Sequence, residues 1–341
     1  MKIFVTGATG FVGATLARRL HDRGDSLRFL LRDGSDTAGI ADLDYETING
    51  DLFDDEALRV GSEDCDAVIH MAALVSFRKR DRELMFRINA DASQRLARIA
   101  KSIGVHRFVQ VSSVAAVGSS PRSIALDEET PWPDNGMGIG YCDSKRLGED
   151  LVRAENDREF EVVVVNPSSM FGPGDRRKAE GSLLDRMAQG RVPFCPPGGS
   201  CFADVRDVAD GIVAALLRGR AGQRYILGGE NLRGRELLQK IANVTGTKPP
   251  RFTMPNFLMG LVQSAQRMHE MIRDVKGPLT AELIRLSRGY SWFTSAKAES
   301  ELGYTSRGID EALQLTFEWM FSTGLLERRE EPRAGSSDPA A

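Results

Sequence analysis

Residues 3–13 read Ile-Phe-Val-Thr-Gly7-Ala-Thr-Gly10-Phe-Val-Gly13, an apolar run that feeds three evenly spaced glycines and then a helical pattern. In such a run Gly7 takes the tight turn out of the strand, Gly10 lets backbone approach a bound group, and Gly13 lets the helix pack closely. The helix, over roughly Phe11 to Arg23, aims free N–H groups and its positive dipole end at an anion. The G-x-x-G-x-x-G spacing is a variant of the glycine fingerprint that seats a dinucleotide pyrophosphate, with Thr9, Phe11 and Val12 completing the loop. A second strand about twenty residues later separates this reading from that of a turn that is only a turn.

Strand-like runs at Lys2–Thr6, Leu27–Leu31, Tyr45–Ile48, Ala67–His70, Arg107–Val111 and Glu161–Val165 alternate with helical patterns at Thr15–Arg23, Asp55–Val60, Asp81–Ile103 and Gly140–Glu155. Alternation of this kind predicts an α/β fold, a Rossmann-type doubly wound parallel sheet covered by helices on both faces. After Asn166 the chain becomes rich in proline and glycine, with helices expected near 183–189, 205–217, 234–244, 256–275 and 309–322. The expected organisation is a dinucleotide-binding core over 1–166, to which later segments return, and a smaller, mainly substrate-binding lobe over 167–328. A tail over 329–341 carries too few apolar side chains to offset chain entropy and is expected to be disordered.

The net charge of −3 excludes a strongly basic nucleic-acid binder. Four cysteines and four histidines without C-x-x-C or H-x-x-x-H spacing point to no metal site and no disulfide framework, in keeping with a reducing cytoplasm. No apolar run reaches the length of a membrane span, and no cationic, apolar leader is read at the start.

Chemistry is indicated by Ser113, Tyr141 and Lys145. Tyr141 and Lys145 lie four apart on one helix, so their heads fall on one face, and Ser113 follows the fifth strand at the carboxyl edge where open α/β sheets place ligands. A carbonyl–alcohol redox reaction needs a proton donor at the oxygen that receives it. Tyr141 is the candidate general acid/base, and a neighbouring Lys145 ammonium is expected to lower its phenol from the usual value of about 10. Ser113 would donate to the substrate oxygen as charge builds there, and Lys145 would also bond the nicotinamide ribose.

The segments T-G-A-T-G-F-V-G (6–13), N-G-D-L (49–52), H-M-A-A (70–73), R-I-N-A with Asn89, V-S-S-V (111–114), Y-C-D-S-K (141–145), N-P-S-S-M-F-G-P-G-D (166–175) and V-R-D-V-A (205–209) resemble, in order, the extended short-chain dehydrogenase/reductases. The resemblance implies that Asp51 and Leu52 lie near the adenine, Ala72 and Ala73 line the nicotinamide ribose, and Pro167 and Ser168 border the nicotinamide ring. It also implies that Asn89 supports the lysine through a proton relay, and that dimers form through the helices following the fourth and fifth strands. Ala92, Leu96 and Ala100 on one, and Leu147, Leu151 and Val152 on the other, suit either that interface or the sheet. Asn166 and Phe171 stand where many relatives have arginine and tyrosine, so no role is carried over to them.

Arg32, directly after the second strand, favours the 2′-phosphate of NADP(H), while Asp33 beside it leaves NAD(H) open, whether it caps the turn or bonds the ribose. Ser200 occupies the place of the arginine with which sugar-nucleotide enzymes hold a diphosphate. The pattern is instead closer to the dihydroflavonol-reductase-like and hopanoid-associated epimerase-like branches. The sequence therefore reads as an NADPH-dependent reductase of a ketone or aldehyde in a small, largely apolar substrate, cytoplasmic and homodimeric. Two alternatives are an epimerase that retains its NAD and a dinucleotide-sensing protein without chemistry. Arg78-Lys79-Arg80 reads as a solvated turn ahead of a site for an anionic substrate, and the apolar set Phe257, Leu258, Leu261, Val262, Ala265, Met268 and Ile272 as ordinary helix packing ahead of a hydrophobic lid over the substrate or a partner surface.

Overall fold

The structure is a computed structural model that describes residues 1–175, 182–272 and 280–326. The expected disordered tail lies outside the described residues, as do the last residues of the helix expected to 275.

Seven parallel strands form the main sheet: β1 (Lys2–Thr6), β2 (Ser26–Leu31), β3 (Glu46–Asn49), β4 (Ala67–His70), β5 (Arg107–Val111), β7 (Glu161–Pro167) and β10 (Arg224–Leu227). Their order is β10-β7-β5-β4-β1-β2-β3, so the winding reverses between β1 and β4, where doubly wound sheets open a crevice at their carboxyl ends. The central strands read as continuous apolar runs because helices cover both faces. One face packs Ile3, Val5, Phe29 and Val163 against α1 (Phe11–Asp22) and α7 (Val205–Arg218). The other packs Phe4, Val68, Phe108 and Val162 against α2 (Asp55–Ser62), α4 (Ala92–Ser102) and α5 (Gly140–Arg153).

The helix expected over Asp81–Ile103 is interrupted. It comprises α3 (Arg82–Phe86), a π-helical turn over Arg87–Asp91, and α4. Such a turn re-aims side chains at little cost, and here it carries Asn89.

Beyond residue 167 the chain is richer in strands than its proline and glycine content suggests, and these strands recruit a short one from before it. Strands β6 (Ala125–Leu126), β9 (Gly199–Asp204), β11 (Glu230–Arg233) and β12 (Tyr290–Phe293) form a second sheet, with β8 (Ser169–Phe171) pairing β9. Helices α6 (Leu183–Ala188), α8 (Gly234–Thr245) and α12 (Ile309–Ser322) share a separate apolar cluster around Leu238, Ile241 and Leu313. Helix α9 (Asn256–Ile272) packs on α10 (Ala281–Ser287), and α11 (Ala296–Leu302) on α7.

Candidate functional site

The β1–α1 loop is built around close backbone approach. Gly7 adopts φ +80°, and a Cβ there would lie 2.7 Å from the Ala72 nitrogen in the loop after β4. A Cβ on Gly13 would lie 2.1 Å from the Gly7 carbonyl oxygen, so the first turn of α1 fits only as glycine. Gly10 caps α1 without a side chain, and its first turn has no acidic residue. The N–H groups are left to an outside acceptor, and the crowded, uncharged cradle fits a pyrophosphate. Thr9, Phe11 and Val12 are half-buried along it. The Phe11 ring approaches Gly172 and Gly174, which brings in the loop after β8.

The remaining expected contacts lie at carboxyl ends of the same sheet. Arg32 is exposed just after β2, in a turn closed by Ser35, whose hydroxyl accepts from the Arg32 N–H at 3.2 Å. Asp33, the next residue, is exposed as well. Asp51 accepts from the Phe53 N–H at 2.7 Å, while Leu52 is buried beside Leu30 and Ala72. Ala72 and Ala73 are half-buried after β4. Pro167 ends β7, and the Ser168 hydroxyl is buried against the Cys201 thiol and the Ser169 carbonyl.

Ser113, Tyr141 and Lys145 converge at the end of β5. The Ser113 hydroxyl is hydrogen-bonded to the Tyr141 phenol. Buried Lys145 donates to the Val111 carbonyl at 3.0 Å, two residues before that serine. Phe77 meets the tyrosine ring edge-on at 5.7 Å. Burial pushes the Tyr141 phenol up to about 12, and the Ser113 hydrogen bond pulls it back only in part. The expectation of a lowered tyrosine is therefore corrected: the lysine head is drawn to a strand carbonyl, and desolvation dominates. Burial also pushes Lys145 down to about 8, against the opposing pull of Glu149.

Asn89 is buried and its amide is shared between two elements. It accepts from the Leu74 N–H at 2.8 Å and donates to the Leu74 carbonyl at 2.9 Å and to the Ser144 hydroxyl at 3.0 Å. It ties the loop of Ala72 and Ala73 to the helix of Tyr141 and Lys145, while the lysine's own hydrogen bond goes to Val111. Behind these groups, His70 bridges Thr6 at 2.6 Å and Ser93 at 2.9 Å, joining β1, β4 and α4. Burial holds this imidazole neutral, down at about 3.

Sequence reasoning missed a supporting ion pair. Glu149 and Arg224, both buried, lie 3.0 Å apart under β7. Asn166 donates to Glu149 at 2.8 Å and to the Ser113 carbonyl at 3.0 Å, and accepts from Arg224 at 3.3 Å. The signal was present in part, since Tyr141, Lys145 and Glu149 recur every four residues on α5. Arg224, distant in sequence, carried none.

The residues suggested for a dimer interface mostly pack inward: Ala92, Leu96, Ala100 and Val152 are in the core, whereas Leu147 is exposed. Lys79 and Arg80 are exposed, as a solvated turn requires. Among the described residues no cluster of histidine, cysteine or carboxylate side chains could hold a metal ion, and no helix is long and apolar enough to cross a membrane.

Residues 3–228 match the family described as NAD dependent epimerase/dehydratase. The chain is 32% identical over 329 residues to sterol demethylase protein B of Methylococcus capsulatus, covering 96% of this chain and all of that one. It is 30% identical over 331 residues to a Synechocystis sp. protein whose name marks it provisionally as a dihydroflavonol 4-reductase, covering 95% of this chain and 96% of the other. The crystal structure of gox2253 superposes with a TM-score of 0.84 at 31% identity, covering 96% of this chain and 99% of that one.

Proposed function

The chain belongs to the NAD-dependent epimerase/dehydratase family and is an NAD(P)-dependent enzyme acting on hydroxyl or carbonyl groups; from that premise we propose an NADPH-dependent reductase of a ketone or aldehyde in a small, largely apolar substrate. The observation that carries this reading is the convergence of Ser113, Tyr141 and Lys145 at the end of β5, with the Tyr141 phenol hydrogen-bonded to the Ser113 hydroxyl. A protonated phenol is the form a carbonyl reduction requires.

A reduced nicotinamide supplies the hydride for such a reaction. The glycine loop of β1–α1 holds the pyrophosphate, and Ala72, Ala73, Pro167 and Ser168 border the nicotinamide end. Asp51 and Leu52 sit on the adenine side, and the exposed Arg32 guanidinium takes the 2′-phosphate. Ser113 donates to the carbonyl oxygen and Tyr141 gives it a proton, while the Lys145 head, held on the Val111 carbonyl, is the group that would bond the nicotinamide ribose. Asn89, Asn166 and the Glu149–Arg224 pair keep these groups in register. The names of the sterol and dihydroflavonol relatives support a polycyclic or otherwise lipophilic carbonyl compound.

The test is to strip bound nucleotide, titrate the four nicotinamide dinucleotides, and follow nicotinamide absorbance against a panel of lipophilic ketones and aldehydes. Tight NADPH binding with carbonyl-dependent oxidation is expected. Tight NAD⁺ binding without net turnover would instead identify an epimerase. Arg32→Ala is expected to weaken NADPH about tenfold while leaving NADH unchanged, a difference of one charge-assisted contact.

A further inference from the structure

Helix α9 is turned inside out. Phe257, Leu261, Met268, Met271 and Ile272 share one face by helical spacing and are between 64% and 76% exposed. The side directed at the protein is largely polar. Gln263 accepts from Arg288 at 2.7 Å, Glu270 accepts from the Ala281 N–H at 2.8 Å, and Met259 is the buried apolar residue of the helix. Ordinary packing, the expectation from sequence, would reverse this arrangement.

The charges along the stretch that carries the patch are sorted as well. Lys248, Arg251, Arg267 and Arg285 are exposed, whereas among the described residues from 246 to 290 no aspartate or glutamate is. Glu282 accepts from the Gly140 N–H at 3.1 Å, and Glu270 is occupied at α10, so both acids face inward. Arg267 and His269 fall on the two flanks of the apolar face. The exposed Phe252, in the segment leading into α9, extends the apolar surface beyond the helix.

We propose that α9 is a docking surface for an anionic phospholipid bilayer, lying in the plane of the interface with its apolar face among the acyl chains and its cations at the headgroups. A helix of 17 residues, about 25 Å long, suits lying along a membrane rather than crossing it. The exposed cations match anionic headgroups. A second copy docked face to face across a two-fold axis would instead bring like charges together. Helix α10 is clamped through Glu282 to Gly140, the residue before Tyr141, so docking sets the start of the catalytic helix near the lipid. That consequence for a lipid-dissolved substrate rests on the reductase reading; the docking itself does not.

The experiment is sedimentation of the full chain with vesicles of phosphatidylcholine alone and of phosphatidylcholine mixed with phosphatidylglycerol, with light scattering of the vesicle-free protein. Binding about tenfold stronger to the anionic vesicles is expected, falling about tenfold in the Leu261→Asp, Met268→Asp double variant. Arg251→Ala with Arg267→Ala should reduce the preference for anionic lipid while binding to phosphatidylcholine is unchanged. An unaltered unfolding midpoint and dinucleotide affinity show that the variants fold. Wild-type protein that stays in solution with both vesicles overturns the proposal, as does a double variant that sediments like wild type. So does a wild-type dimer that the double variant converts to monomer. None of these readouts uses turnover, so failure here is distinct from failure of the reductase reading.

Discussion

The β1–α1 loop and helix α9 are opposites in how their residues are explained. In the loop each small residue answers to a neighbour: Gly7 to Ala72, Gly13 to the Gly7 carbonyl, and Thr6 to His70. On α9 the large apolar residues Phe257, Leu261, Met268, Met271 and Ile272 stay exposed among the described residues, while Gln263 and Glu270 are spent on Arg288 and α10. The difference teaches that residue identity can be set by internal contacts or by an external partner, and that burial distinguishes the two cases.

The contrast predicts unequal costs of substitution. Gly13→Ala must move backbone, because its Cβ would sit 2.1 Å from a carbonyl oxygen. A loss of about 2–4 kcal/mol in unfolding free energy is expected, together with weakened dinucleotide binding, as overpacking of a rigid site requires. Denaturant titration and nucleotide titration check it, and a neutral result would remove the loop from the internally determined class.

At neutral pH, where its ring is neutral in both states, His70 adds no such cost, and its effect appears only as pH falls. Its folded value of about 3 lies below the unfolded value of 6.5, so the unfolded chain binds the extra proton first as pH falls. Its contribution to stability is complete above pH 6.5 and is lost as pH falls from there toward 3, by at most about 1.4 kcal/mol per pH unit. His70→Gln keeps hydrogen-bonding groups and does not titrate, so its unfolding midpoint should fall less steeply across that window. Equal slopes would mean that the imidazole titrates normally.

The smallest effect belongs to α9. Leu261→Asp should change unfolding free energy by no more than about 0.5 kcal/mol, since the side chain is 64% exposed and leaves no cavity. A loss as large as that of Gly13→Ala would show that α9 is packed internally and erase the contrast.

Much of the sheet was legible because its central strands are buried on both faces and so read as apolar runs between helices. Gly7, Gly13, Ser113, Tyr141 and Lys145 could be located because a turn and a helical repeat are local properties. What escaped was non-local. Strand β10 is four residues long and joins β7 from nearly sixty residues away, while β6 is a two-residue strand completed by pairing with β12. Spacing placed Tyr141 and Lys145 on one face but carried no information on depth, so the direction of the tyrosine shift was misread. Helical periodicity likewise identified the apolar face of α9 but not which way it points.

The account rests most directly on Tyr141 as proton donor, and the measurement that tests it is NADPH oxidation by an active carbonyl substrate with Tyr141→Phe, paired with NADPH binding to the same variant. The account predicts that turnover falls by about a hundredfold or more while NADPH affinity is nearly unchanged, because the phenol proton serves the reaction and the glycine loop serves the binding. Turnover within a few fold of wild type would contradict it and place the proton donor elsewhere.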